Sequence, residues 1–168
     1  MQPDHPLDRP VWSALTTRQA GLAQGDARAA RFAPDYGLFA AAADTSPASL
    51  ASLASLVPAH GELALIEVEE PPSIPGTAVV SRAVVWQMIA ENLTVAEAPA
   101  FAITPLTEAD APRMVALATL TQPGPFHACT HQLGDFVGVK AEGQLVAMAG
   151  ERMKPAGFTE VSGVCTQP

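Results

Sequence analysis

The stretch DFVGVKAEGQLVAMAGERM, residues 135–153, constrains the fold more than any other part of the chain. Apolar and polar residues alternate on both sides of Glu142-Gly143, a close relative of the Asp-Gly pair that favours a tight hairpin. A third segment, GFTEVSGVC (157–165), alternates in the same way after a short connection. Parallel neighbours need a crossover of about a dozen residues, and no such length separates these segments. They are therefore predicted to form one antiparallel sheet, with the Asp135–Arg152 hairpin paired to Gly157–Thr166.

Upstream, FAIT (101–104) reads as a short strand. TEADAPRMVALATL (107–120) reads as a helix, in which Thr107 and Asp110 have capping-box spacing and Met114, Val115, Leu117 and Ala118 form the apolar face. Pro112 is awkward at a fifth helical position, so Asp110 is an alternative start. TQPGPFHACTHQLG is a Pro/Gly-rich loop. The order from Phe101 is thus strand, helix, loop and three strands, and the fold class is α/β, of the mixed-sheet α+β kind.

The first half is less informative. Val11 to Leu22, with Pro10 before it, suggests a helix. Two short extended pieces flank the turn Pro34-Asp35-Tyr36-Gly37. Ser46-Pro47 opens a helix carrying Leu50, Leu53 and Leu56, a stripe too short for a coiled coil and hence core. ELALIEVEE (62–70) alternates as a strand, and TAVVSRAVVWQMIAEN (77–92) is a further extended candidate, with helix and strand equally readable over Trp86–Ile89. Ala96–Ala100, with Pro99, is the expected joint, dividing the chain into residues 1–97 and 98–168.

Charge and composition exclude several classes. The net charge is −8, and no two Lys or Arg residues are adjacent, so nothing resembles a phosphate-binding stripe. No apolar run approaches the roughly 18 residues of a membrane span, and the N-terminus lacks the basic-then-apolar pattern of a secretory signal. The two cysteines, Cys129 and Cys165, make no disulfide framework. The expectation is a cytoplasmic protein with a small-molecule or protein partner, and neither nucleic acid nor membrane. His127, Cys129 and His131 alternate within five residues, but no fourth ligand stands at zinc spacing, so no metal is expected.

The segment GVKAEGQLVAMAGERM, a turn, and GFTEVSGVCTQP resemble the central core of the GNAT superfamily of acyl-CoA N-acyltransferases. The likeness covers about residues 101–168 and is most specific over Glu160–Thr166. It implies a GNAT-like fold and transfer of an acetyl group from acetyl-CoA, as co-substrate, to a primary amine by direct attack in a ternary complex. Backbone N–H groups of Val164, Cys165 and Thr166 would then meet the thioester carbonyl and the pantetheine arm. Glu160 would be the candidate general base, since an acceptor amine must lose a proton before it attacks; the plain alternative is a strand glutamate paired with Arg152. Phe126 and Glu151 would be candidates for the acceptor side, Phe126 being equally readable as a loop anchor.

In that superfamily an Arg/Gln-x-x-Gly-x-Gly loop follows the strand and holds the coenzyme pyrophosphate. The chain ends three residues short of where its Arg would fall, and no other phosphate-loop pattern occurs upstream. A fold incomplete at its C-terminus, an inactive fragment and weak coenzyme binding are the resulting expectations. The open strand edge suggests self-association, so a homo-oligomer is expected. The alternative function is a non-catalytic small-molecule or protein-binding module of the same fold.

Overall fold

A computed structural model describes residues 5–94 and 97–168. Helix α1 (Pro10–Thr16) starts with Pro at its first position, where a missing N–H costs nothing. It is shorter than the apolar spacing predicts. The Thr16 and Thr17 hydroxyls donate back to the carbonyls of Trp12 and Ser13, and the chain leaves the helix for a single 3-10 turn, Ala20–Leu22. Strands β1 (Ala23–Gly25), β2 (Ala29–Phe32) and β3 (Ala40–Ala42) form an antiparallel sheet in the order β1-β2-β3. Five of the seven residues of β2 and β3 are Ala, which lets α1 and α2 (Pro47–Ser55) lie close against them. Ser46 caps α2, accepting the Ser49 N–H.

Arg31, buried in β2, has no carboxylate partner among the described residues and donates instead to the Phe32 carbonyl and to Leu56 at the end of α2. Burial pushes its pKa down, and the negative end of the helix accounts for a cation there.

The strand predicted over ELALIEVEE does not form. Ala64 alone makes a bridge, parallel to Phe39. Beyond it the chain is drawn off to α1, where Glu67 meets Arg9 at 2.7 Å and Val68 N–H reaches the Asp8 carbonyl. The run 77–92 forms no helix or ladder and lies exposed. The expected joint begins at Ala96, which lies outside the described residues.

The second sheet has the order β4-β5-β6-β7, all antiparallel. Its strands are β4 (Thr104–Pro105), β5 (Phe136–Ala141), β6 (Gln144–Glu151) and β7 (Val161–Thr166). FAIT contributes only its last residue to β4. The hairpin, its two-residue turn and the pairing to β7 match the sequence prediction, and Glu142 and Gly143 both have positive φ, 50° and 78°. Helix α3 (Ala111–Thr121) follows a 3-10 turn, Glu108–Asp110, so Pro112 falls in the first helical turn and breaks no ladder bond. Met114, Leu117 and Ala118 pack with Phe136, Leu145 and Met148 as the core of this sheet. A separate cluster around Val11, Leu15, Phe32 and Phe39 also takes in Leu133 and Met153 from the second half.

Asp110 ties α3 to the sheet. Its carboxylate accepts the Thr107 N–H at 3.1 Å and meets Lys140 of β5 at 2.7 Å. The Lys140 hydrogen bond, with help from Thr107, holds its pKa below the usual carboxylate value. A depressed folded pKa adds stability above the unfolded value, about 3.9, that is lost as pH falls through the folded one. Asp110→Asn should therefore cost about 1–2 kcal/mol at neutral pH. In urea titrations the gap from the unsubstituted protein should narrow as pH falls below the unfolded carboxylate value and close once the folded carboxyl is protonated.

Candidate functional site

The sequence-predicted site residues fall on β7 (Val164–Thr166), on the residue before it (Glu160), at the end of β6 (Glu151) and in the loop that carries Phe126. Across β6 and β7, Met148 faces Cys165 and Gly150 faces Ser162, so Ala149 stands opposite two residues, Gly163 and Val164. This is a β-bulge, and Gly163 has φ 63°, which a residue with a side chain rarely adopts. A glycine inside an alternating strand is a sequence signal for it.

The register also orients the backbone donors. Gln167 N–H bonds the Val146 carbonyl, so by ladder alternation Cys165 faces β6 while Thr166 and Val164 turn their N–H groups to the open edge. That edge has no neighbouring strand among the described residues. Val164 is 63% exposed, and Cys165 packs partly buried against the sheet core. Two donors on one open edge, spaced two residues apart, fit an extended amide-bearing chain such as pantetheine.

Phe126 borders the bulge. Its ring lies edge-on to Phe136, with centroids 5.7 Å apart, and 3.7 Å from where a Cβ on Gly163 would stand. The structure therefore brings Phe126 beside Gly163, at the bulge.

Glu160 lies elsewhere. It precedes β7 by one residue, roughly 12 Å along the strand from Val164. Its carboxylate accepts from Arg152 Nη2 at 2.7 Å, Arg152 Nε at 3.2 Å and the Met153 N–H at 3.2 Å. Both oxygens are thus engaged. Arg152 also stacks over Phe39, 4.6 Å from its centroid, and its carbonyl accepts from Gln19 Nε2 at 2.8 Å. Glu151 closes β6 opposite Val161. It meets Lys154 at 2.9 Å and accepts the Asp135 N–H. The Lys154 bond holds its pKa below the usual value.

Of HACTH, His131 is the unforeseen member. Its side chain is 7% exposed, Nε2 lies 2.7 Å from Glu108 Oε2, and the buried Nδ1 has no partner. Hydrogen bonds from His131 and Gln132 hold the exposed Glu108 carboxyl below its ordinary pKa. Residue spacing could not show a pair separated by 23 positions. Among the described residues no cluster of three or more His, Cys, Asp or Glu is arranged to hold a metal, and no helix is long and apolar enough to cross a membrane.

A cavity of about 160 Å³, lined by Arg113, Leu117, Leu120, Gln144, Leu145 and Gln167, lies between α3 and the far end of β6. It is below the roughly 300 Å³ at which ligand pockets begin, so the β7 edge is the better candidate.

Comparison with solved structures supports this assignment of the fold. The chain resembles a crystal structure from Novosphingobium aromaticivorans, described as a candidate acetyltransferase of the GNAT family, with 42% identity and a TM-score of 0.84. The match covers 98% of this chain and 73% of that one. No protein-family profile and no curated protein sequence matches. At that identity and coverage the chain belongs to the GNAT family, and its mixed α/β architecture is the GNAT fold.

Two substitutions test the geometry. A Cβ on Gly150 would stand 2.2 to 2.5 Å from three atoms of the Phe136 ring, so Gly150→Ala should lower unfolding free energy by about 3 kcal/mol. Glu160→Gln should cost about 1–2 kcal/mol, since its ion pair with Arg152 is only partly buried. Chemical denaturation measures both.

Proposed function

We propose that the protein is an N-acetyltransferase that moves an acetyl group from acetyl-CoA to a primary amine by direct attack in a ternary complex. The observation that carries this is the bulge at Gly163, which leaves the Val164 and Thr166 N–H groups on an open edge. In this reading Val164, Cys165 and Thr166 line the pantetheine arm and acetyl group, and acetyl-CoA supplies the activated thioester. An outward N–H aimed at the thioester oxygen stabilises the negative charge that develops there, an effect worth up to about 3 kcal/mol.

The acceptor amine approaches along β7 between its start, where Glu151 and Glu160 supply negative charge for an ammonium group, and the bulge, where Phe126 forms an apolar wall. Glu160 takes up the amine proton through water, because it stands too far along the strand for direct transfer. Arg152 must then release one of its two hydrogen bonds. The engaged state of Glu160 also supports the second reading, a non-catalytic binding module in which Glu160 is purely structural. The two free cysteines support a cytoplasmic setting. Two separate sheets support division into a region 1–97 and a catalytic region starting at 98.

Residues 1–168 contain no phosphate-loop motif, so within them the coenzyme is gripped by its pantetheine arm. Acetyl-CoA and acetyl-pantetheine should bind this chain with similar, weak affinity in calorimetry. Val164→Pro removes one outward donor without touching the ladder, and should weaken both about tenfold. Acetyl-CoA binding tenfold tighter than acetyl-pantetheine would place an anion site elsewhere in these residues. In a chain carrying the loop after β7, free thiol should appear with primary amines, and Glu160→Gln should lower kcat more than it raises KM. Coenzyme binding with no thiol release from any amine would favour the non-catalytic reading.

A further inference from the structure

We propose that the extended run 79–89, VVSRAVVWQMI, is a self-complementary strand that pairs antiparallel with the same run of a second copy, across a two-fold axis at Val84. The run forms no helix or strand within its own chain, and every large apolar side chain in it is 55% to 95% exposed. Two polar contacts tether it: Gln87 donates to the Leu7 carbonyl at 2.7 Å, and Arg82 pairs with Glu70. Neither covers apolar surface. With ordinary side-chain areas the run presents roughly 900 Å² per copy, against about 800 Å² that each partner gives up in a standard interface. A run this apolar and rich in Val on both faces reads as a strand awaiting neighbours.

The sequence itself points to a second copy. When each residue is set against the one equally far on the other side of Val84, like meets like. Val79 faces Ile89, Val80 faces Met88, and Ala83 faces Val85. Ser81 faces Gln87, so polar meets polar, and Arg82 faces Trp86, a cation against the ring that holds cations best. Moving the axis to Ala83 sets Ser81 against Val85 and Val79 against Gln87. Moving it to Val85 sets Arg82 against Met88 and Ser81 against Ile89. Only the central register sorts both kinds of side chain. Arg82 gives up an exposed ion pair of little worth. An isologous pairing of this kind closes at two copies. It uses neither β7 nor its open edge, so it stands or falls separately from the proposed coenzyme site.

Site-directed cross-linking with sedimentation tests the register. The unsubstituted chain should sediment at twice the mass of one copy. Val84→Cys stands opposite its own copy and should form an intermolecular disulfide under mild oxidation, identified by the linked peptide so that Cys129 and Cys165 are not mistaken for it. Val80→Cys should not link to its copy, since eight residues, about 27 Å, separate the two along the ribbon. Val84→Lys places two charges on the axis and should yield monomers that keep the folded circular-dichroism spectrum, because that side chain is 88% exposed in one chain. A monomeric unsubstituted chain, an assembly that grows without limit, equal linking at positions 80 and 84, or a Val84→Cys that fails to link would each overturn the proposal.

Discussion

The ring of Phe136 occupies the space that side chains at Gly150 of β6 and Gly163 of β7 would need, and the second sheet is built around it. A Cβ at Gly150 would meet ring atoms at 2.2 Å, and one at Gly163 would meet them at 3.2 Å. Strand β6 can therefore close over the ring only because Gly150 lacks a side chain, and Gly163 keeps β7 from pressing on it. Met114, Leu117 and Met148 complete the enclosure. One of those glycines is also the bulge residue, so the packing of an aromatic in β5 decides where β7 departs from its ladder. The departure sets which N–H groups face outward, and Phe126, edge-on to the same ring, takes its position from it. Core packing and the candidate coenzyme edge are thus one constraint seen from two sides.

How far this was legible depends on how local each determinant is. The hairpin, its Glu142-Gly143 turn and the capped helix α3 were readable because period-two alternation, turn residues and caps act over a few positions. Glu160 and Val164–Thr166 could be placed on one strand, but not on different ends of its working surface, because the bulge depends on Phe136, 27 positions before Gly163. ELALIEVEE has the alternation of a strand and still fails to become one. Arg9, 58 residues away, takes Glu67 by its side chain and with Ala42 and Ala43 pins the region to the first helix. Propensity proposed a strand there and a tertiary ion pair overrode it. The contact between the buried His131 and the exposed Glu108 was invisible for the same reason.

Arg152 connects the two halves in a way that bears on function. Its guanidinium holds Glu160 and stacks on Phe39 of the first half, while its carbonyl is held by Gln19. Gln19 also donates to the Leu133 carbonyl and accepts the Lys154 N–H, so one buried amide spans three segments around the start of β7. A buried side-chain amide so fully satisfied rigidifies what it touches. The first hundred residues, which carry no chemistry of their own that can be named, therefore fix the end of β7 from which the acceptor is proposed to enter. Rotation of one half against the other would move Arg152 relative to Glu160 before it moved Val164 or Thr166. The proposed coenzyme edge lies on the second sheet alone, whereas the proposed acceptor end is shared between both halves, so under that reading variation in the first half would alter acceptor choice while leaving the coenzyme contacts in place.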